Sequence, residues 1–158
     1  MQKMLVCSLF LAMNCLLLGA DDPFAGTWKY NVAKSKPAPA QPGMAMKEQT
    51  MTVEESNGQA TVTFKGTREN GSPASMKYTT PLNGGAVNYS EGGPPAGVSV
   101  TTKRINDRAV DFITTNNGKV VSTNHVTVSA NGKMMRLNAK GVNAQGQPVQ
   151  SMIVYEKQ

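Results

Sequence analysis

The chain carries few side chains able to do chemistry, and their spacing is informative mainly for what it rules out. His125 is the only histidine. It sits inside "TNHVTV", in a β-type run and opposite in phase to Val126. That places it on an outer face or a rim, where a general base would still need a partner and a pocket. The carboxylates (Asp21, Asp22, Glu48, Glu54, Glu55, Glu69, Glu91, Asp107, Asp111 and Glu156) form no acid–base pair by spacing. Glu54 and Glu55 are adjacent on a strand and so point to opposite faces. No turn has the ligand spacing of a calcium loop. Both cysteines, Cys7 and Cys15, lie near the N-terminus, and no nucleophile motif is present. Methionine is the one unusual count, at 10. "GMAMKEQTM" has the spaced thioethers of a Cu(I) site, which makes an extracytoplasmic metal scavenger using Met44, Met46 and His125 one reading. An adaptable lining for an interior or a pocket is the stronger one. A non-enzymatic protein without a cofactor is expected.

The elements that must position these residues are strands. Turn dipeptides recur at Asn57-Gly58, Asn70-Gly71, Asn83-Gly84, Asn117-Gly118 and Asn131-Gly132, and Gln145-Gly146 continues the beat. Asn-Gly readily takes positive φ at both central positions, as a tight hairpin of right-twisted strands requires. Between the turns lie alternating runs. "ATVTFKG" sets Val62 and Phe64 against Thr61, Thr63 and Lys65, and "TMTVEE" includes Val53. "SMKYTT" puts Met76 and Tyr78 together, "AVDFITT" Val110 and Phe112, and "KVVSTNHVTVSA" Val120, Val126 and Val128. "MMRLNAKG" puts Met135, Leu137 and Ala139 in phase, and "VQSMIVYEKQ" Ile153 and Tyr155. No stretch after the first twenty residues has helical period. The pattern predicts an all-β, antiparallel chain of about 8–10 strands joined by hairpins. Closure into an up-and-down barrel removes the edges, and a two-sheet sandwich is the second choice.

Residues 1–20, "MQKMLVCSLFLAMNCLLLGA", have an early lysine, an apolar run and small residues at the end. This is the layout of a signal peptide cut after Ala20, leaving residues 21–158 as a single exported domain, periplasmic or secreted. Lipid attachment at Cys15 is the alternative. The run is too short for a comfortable membrane span, so no integral membrane segment is expected. With the signal removed no cysteine remains, and the domain must hold together by its core. The formal net charge is +6, of which Lys3 carries one, leaving +5. The cations are scattered without interleaved aromatics, which argues against nucleic acid. "KSKPAPAQPG" has three alternating prolines (Pro37, Pro39, Pro42) that forbid a helix. An extended surface connection across one end is expected, a loop gating an opening being the alternative.

"DPFAGTWKYN" holds the only tryptophan, Trp28. Gly26 lets the chain bend into a strand, and Trp28, Tyr30 and Val32 share a phase. This stretch resembles the calycin group of small barrels, the lipocalins and fatty-acid-binding proteins, whose first strand opens with Gly-x-Trp. "DPFAGTWKYNVAKSK" is similar to the start of fatty-acid-binding proteins and "VYEK" to their end. From Asp22 to Gln158 the chain also resembles small secreted lipocalin-like proteins of bacteria, a likeness that implies a barrel and no particular activity. The resemblance implies that Trp28 plugs one end and that a basic residue of the last strands packs over it, with Arg136 the candidate by position although opposite in phase to Leu137. It departs from fatty-acid-binding proteins at Ile153, where they carry an arginine, and at the proline segment, where they carry a helical lid. A buried anionic head group would lack a counter-charge. The expected function is therefore binding or carriage of a small apolar, neutral molecule. Trp28, Tyr30, Val53, Val62, Phe64, Met76, Tyr78, Phe112, Leu137 and Tyr155 are the cavity candidates. A filled structural or protein-interaction barrel is the alternative. Sequence does not specify the oligomeric state.

Overall fold

The computed structural model describes residues 22–40, 42–143 and 145–158. The expected signal peptide lies outside the described residues. Eleven antiparallel strands form one sheet: β1 (Gly26–Tyr30), β2 (Met46–Ser56), β3 (Gln59–Arg68), β4 (Pro73–Pro81), β5 (Gly84–Ala86), β6 (Asn88–Glu91), β7 (Val98–Asn106), β8 (Ala109–Asn116), β9 (Lys119–Val128), β10 (Met134–Val142) and β11 (Pro148–Lys157). Their order is β5-β7-β8-β9-β10-β11-β1-β2-β3-β4-β6. Each strand from β7 to β11 pairs with its sequence neighbours, as do β1 to β4, and β1 joins the two runs by pairing with both β2 and β11. No described residue is helical, so the expectation of an all-β barrel without a helical lid holds.

The strand count exceeds the expected one because residues 84–91 are divided. Gly84–Ala86 pairs with β7 and Asn88–Glu91 with β4. One segment thus serves both free ends of the sheet, passing from one neighbour to the other at Val87. Val87 N–H donates to Val100 O (2.9 Å), and its side chain is buried. Gly84 suits this crossing. Its φ is +97°, and a Cβ there would lie 2.8 Å from Thr102 O. The β2–β3 and β8–β9 hairpins use the Asn-Gly turns as expected, with positive φ at Asn57, Gly58, Asn117 and Gly118.

Two phase expectations fail. Val32 is 55% exposed. After Tyr30 the chain leaves the barrel wall in a short turn and returns at Lys36, whose N–H and C=O both bond Met152 (2.7 and 2.8 Å). Ser35 Oγ accepts the Val154 N–H (2.9 Å) across the detour. Val120 is also exposed, because the register shift between Thr114 and Thr115 leaves Val121 unpaired and inverts the phase of Val120 relative to Val126.

The interior is built from the inward phase of each strand. Its buried members include Trp28, Met51, Val53, Val62, Phe64, Tyr78, Val126, Met135 and Tyr155. At Gly66 the β2 backbone leaves no room for a Cβ on β3. Gly66 pairs with Gln49 beside a register shift between Met46 and Glu48, and a Cβ on it would lie 2.3 Å from Glu48 O. Gly66→Ala should therefore cost about 2–3 kcal/mol in urea unfolding, as an overpacked site with backbone on one side. Gly118→Ala, at φ +81° with nothing within 4 Å, should cost only about 1–2 kcal/mol for its left-handed backbone. Equal losses would contradict this account of the β2–β3 contact.

Candidate functional site

A chamber of about 80 Å3 lies inside the barrel. It sits toward the end that carries the 57–58, 82–83 and 107–108 turns. Its wall is mostly apolar: Phe24, Met51, Val53, Ala60, Val62, Phe64, Tyr78, Leu82, Val110, Phe112, Val126, Met135 and Leu137 all contribute. By this measure one water needs roughly 10–15 Å3. The chamber therefore has room for a small ring compound, and not for a long lipid chain. Drug-sized ligands occupy roughly 300–1,000 Å3.

Six of the ten residues selected from sequence line this chamber: Val53, Val62, Phe64, Tyr78, Phe112 and Leu137. Trp28, Tyr30, Met76 and Tyr155 do not line it. Trp28 is fully buried, with 0% exposure. Its indole N–H donates to Phe24 O (2.9 Å), which fixes the N-terminal segment over this end of the barrel. Tyr30 and Tyr155 stack at 5.8 Å, and Phe64 joins Tyr155 at 6.5 Å and Tyr78 at 6.3 Å. Tyr78 in turn meets Tyr89 at 5.4 Å and Phe112 at 6.2 Å. These rings form a connected aromatic layer, with Phe64, Tyr78 and Phe112 facing the chamber from it. The Tyr155 hydroxyl donates to Gln49 Oε1. Met76 pairs opposite Phe64 and is partly buried against the same core.

Sequence reasoning left out several wall residues. Met51, Val110, Val126 and Met135 were legible from strand phase. Phe24 and Leu82 lie outside the strands, so no periodicity marks them. Arg104 was not legible, because a charge at an inward position reads as a register error. It stays there because Nε and Nη2 of its guanidinium are engaged. It meets Asp22 at 2.8 Å, donates to Asn106 O and Asp107 O at 2.8 Å each, and lies 5.0 Å from the Phe24 ring centre. Asp22 Oδ1 also accepts the Phe24 N–H (2.9 Å). Arg104 thus ties the β7–β8 turn to the N-terminal segment and holds Phe24 in the chamber wall. Thr80 and Thr102 bury their hydroxyls against each other at 2.8 Å, and Thr102 Oγ1 also contacts the Gly85 backbone.

The cation over Trp28 is Lys157, with Nζ 5.1 Å from the ring centre, and not Arg136. Lys157 has the inward phase of Tyr155, whereas Arg136 is exposed on the outer face. His125 is exposed on the outer wall, with Nδ1 2.6 Å from Asp111 Oδ1 on the paired position of β8. The proline segment lies at the end opposite the chamber, so it does not gate it. Among the described residues no group of three or more His, Cys, Asp or Glu side chains could hold a metal. No helix of the described residues is long and apolar enough to cross a membrane.

No known family profile matches the chain, and no curated protein matches it in sequence. Solved structures show similarity at the level of overall shape. EF1p2_mFAP2b bound to DFHBI gives a TM-score of 0.44 at 10% identity, covering 86% of this chain and 94% of that one. The siderocalin Ex-FABP, described as functioning through dual ligand specificities, gives 0.41 at 13% identity, covering 86% and 71%. A redesigned beta barrel, mFAP1, bound to DFHBI, gives 0.38 at 9% identity, covering 86% and 95%. The class is set by the chain's own topology: an all-β, antiparallel, nearly closed up-and-down barrel.

Burial raises the Tyr78 and Tyr155 hydroxyls well above their ordinary pKa of 10.0, helped by neighbouring phenols. An acid whose pKa is raised on folding stabilises the fold fully below its unfolded value, and that stability is lost as pH rises above it. Stability should therefore fall above about pH 10. In ultraviolet titration these two phenols should ionise only as near-ultraviolet circular dichroism collapses. Ionisation of all four tyrosines near pH 10 with the fold intact would contradict their placement.

Proposed function

We propose that the protein binds a small, neutral, largely apolar molecule in the chamber and does no chemistry on it. The observation that carries this reading is the chamber itself, an apolar space large enough for a small ring inside an otherwise well-filled barrel. Such a space is poor in partners for water and loses dispersion contacts while empty, so an apolar guest restores both. Of the charged residues in its wall, Asp22, Glu55 and Arg104, Asp22 and Arg104 are paired with each other, and a charged guest would need a counter-ion of its own. The same pairing holds the N-terminal segment over the chamber, so the guest exchanges when Phe24 moves aside. We further propose that the domain is exported, on the signal-like layout of residues 1–20, and that it belongs with the small secreted lipocalin-like proteins its two ends resemble.

The second reading, a filled barrel that serves structure or interaction, draws support from the aromatic layer. That layer fills the middle of the barrel with side chains and leaves only a small chamber beside it.

Propylbenzene separates the two. The wild-type protein should bind one equivalent with a Kd of order 0.1–1 mM, corresponding to about −4 to −5.5 kcal/mol. Binding should be read from methyl chemical shifts of Val53, Val62 and Leu137. Val62→Phe fills the chamber and should weaken binding at least tenfold while the protein still unfolds cooperatively in urea. Absence of saturable binding, or equal binding by Val62→Phe, would favour the filled barrel.

A further inference from the structure

Several polar side chains inside this barrel are paired. Thr80 and Thr102 bond each other, the Tyr155 hydroxyl bonds Gln49, and Arg104 is held through Nε and Nη2 by Asp22 and two carbonyls. Asn124 Oδ1 is buried and has no hydrogen-bond partner, and it stands alone in this among the described residues. A buried acceptor without a donor forfeits its hydration and gains nothing in return, so such groups are rare in folded proteins and ask for a cause.

Its position supplies one. Asn124 has the inward phase of Val126, two residues along β9, and Val126 lines the chamber. Two residues of strand span about 7 Å. On one side Asn124 is paired with Phe112, whose ring lines the chamber and is only half-buried. On the other side it is paired with Ala139, whose single methyl cannot cover the amide. Asn124 does not itself line the chamber, but its paired neighbour Phe112 and Val126, two residues along, both do, so a guest that displaces the Phe112 ring would approach the orphaned oxygen.

We propose that Asn124 Oδ1 is the acceptor for a hydrogen-bond donor on the guest. The ligand class is then a small ring compound bearing one hydroxyl or N–H group, with its apolar body against Val62, Val110 and Val126. This inference rests on the reading of the chamber as a binding site. It goes beyond that reading by assigning the polar end of the ligand and the residue that recognises it. The preference arises because a hydroxyl loses its hydration in any apolar chamber, and only an acceptor in place returns the bond. A site built to bond a donor discriminates strongly against the analogue that lacks it.

The test compares 3- and 4-propylphenol with propylbenzene on the full domain and on Asn124→Leu. In the wild type at least one phenol should bind at least as tightly as propylbenzene. In Asn124→Leu that phenol should weaken tenfold or more while propylbenzene changes less than threefold. The Asn124 side-chain amide resonances of the wild type provide a readout that needs no variant. They should shift on adding that phenol and stay in place with propylbenzene. If both phenols and propylbenzene lose affinity alike in Asn124→Leu, or if the amide resonances ignore both phenols, the assignment of Asn124 is overturned while the chamber stands as an apolar site. If none of the three probes binds the wild type, the chamber is not a binding site and both proposals fall.

Discussion

Closure of the barrel depends on five residues. Strand β1 supplies the backbone ladder that joins β2 to β11, and Trp28 sits at its centre. The indole is buried on all sides, bonded through its N–H to Phe24 O and faced by the Lys157 ammonium. Gly26 makes the arrangement feasible. Its φ is +119°, and a Cβ there would sit 2.9 Å from Lys157 Cε. Without β1, β2 and β11 would each expose an unpaired edge. The described residues contain no cysteine, so no disulfide among them shares this task.

Closure also divides the interior. Toward the end that Trp28 and Phe24 cover, most inward side chains are apolar and leave the chamber. In the middle, the rings from Tyr30 to Phe112 touch in sequence. Beyond them several inward positions hold short or polar side chains, among them Gly66, Ser122, Asn124 and Ala139. The aromatic layer explains why the barrel stays small inside: each ring claims volume that a long-chain ligand would need.

Much of this was legible in the sequence, for reasons that can be traced to individual residues. Alternation in "ATVTFKG" and "MMRLNAKG" fixes which side chains face inward, because the period of a strand is two and one face is buried. The Asn-Gly turns fix the hairpins. Legibility ended where the chain departs from period two. The crossing at Val87 depends on two glycines that carry no hydrophobic signal, and Val32 turns outward because the chain leaves the wall and rejoins it at Lys36. Lys157 replaced Arg136 over Trp28 because strand phase outranks proximity along the chain. Phase also places Asn124 inward, two residues from Val126, yet a polar side chain inside a β-run draws no attention until its oxygen is found without a donor.

The central claim is an apolar chamber that accepts a guest, and xenon tests it most directly. Xenon enters dry apolar cavities and binds by dispersion alone. A crystal held under xenon pressure should show one site among Val53, Val62, Phe112 and Val126, with Trp28 and Phe24 undisturbed. A chamber that takes no xenon, because side chains close over it or because ordered waters already fill it, would contradict the account.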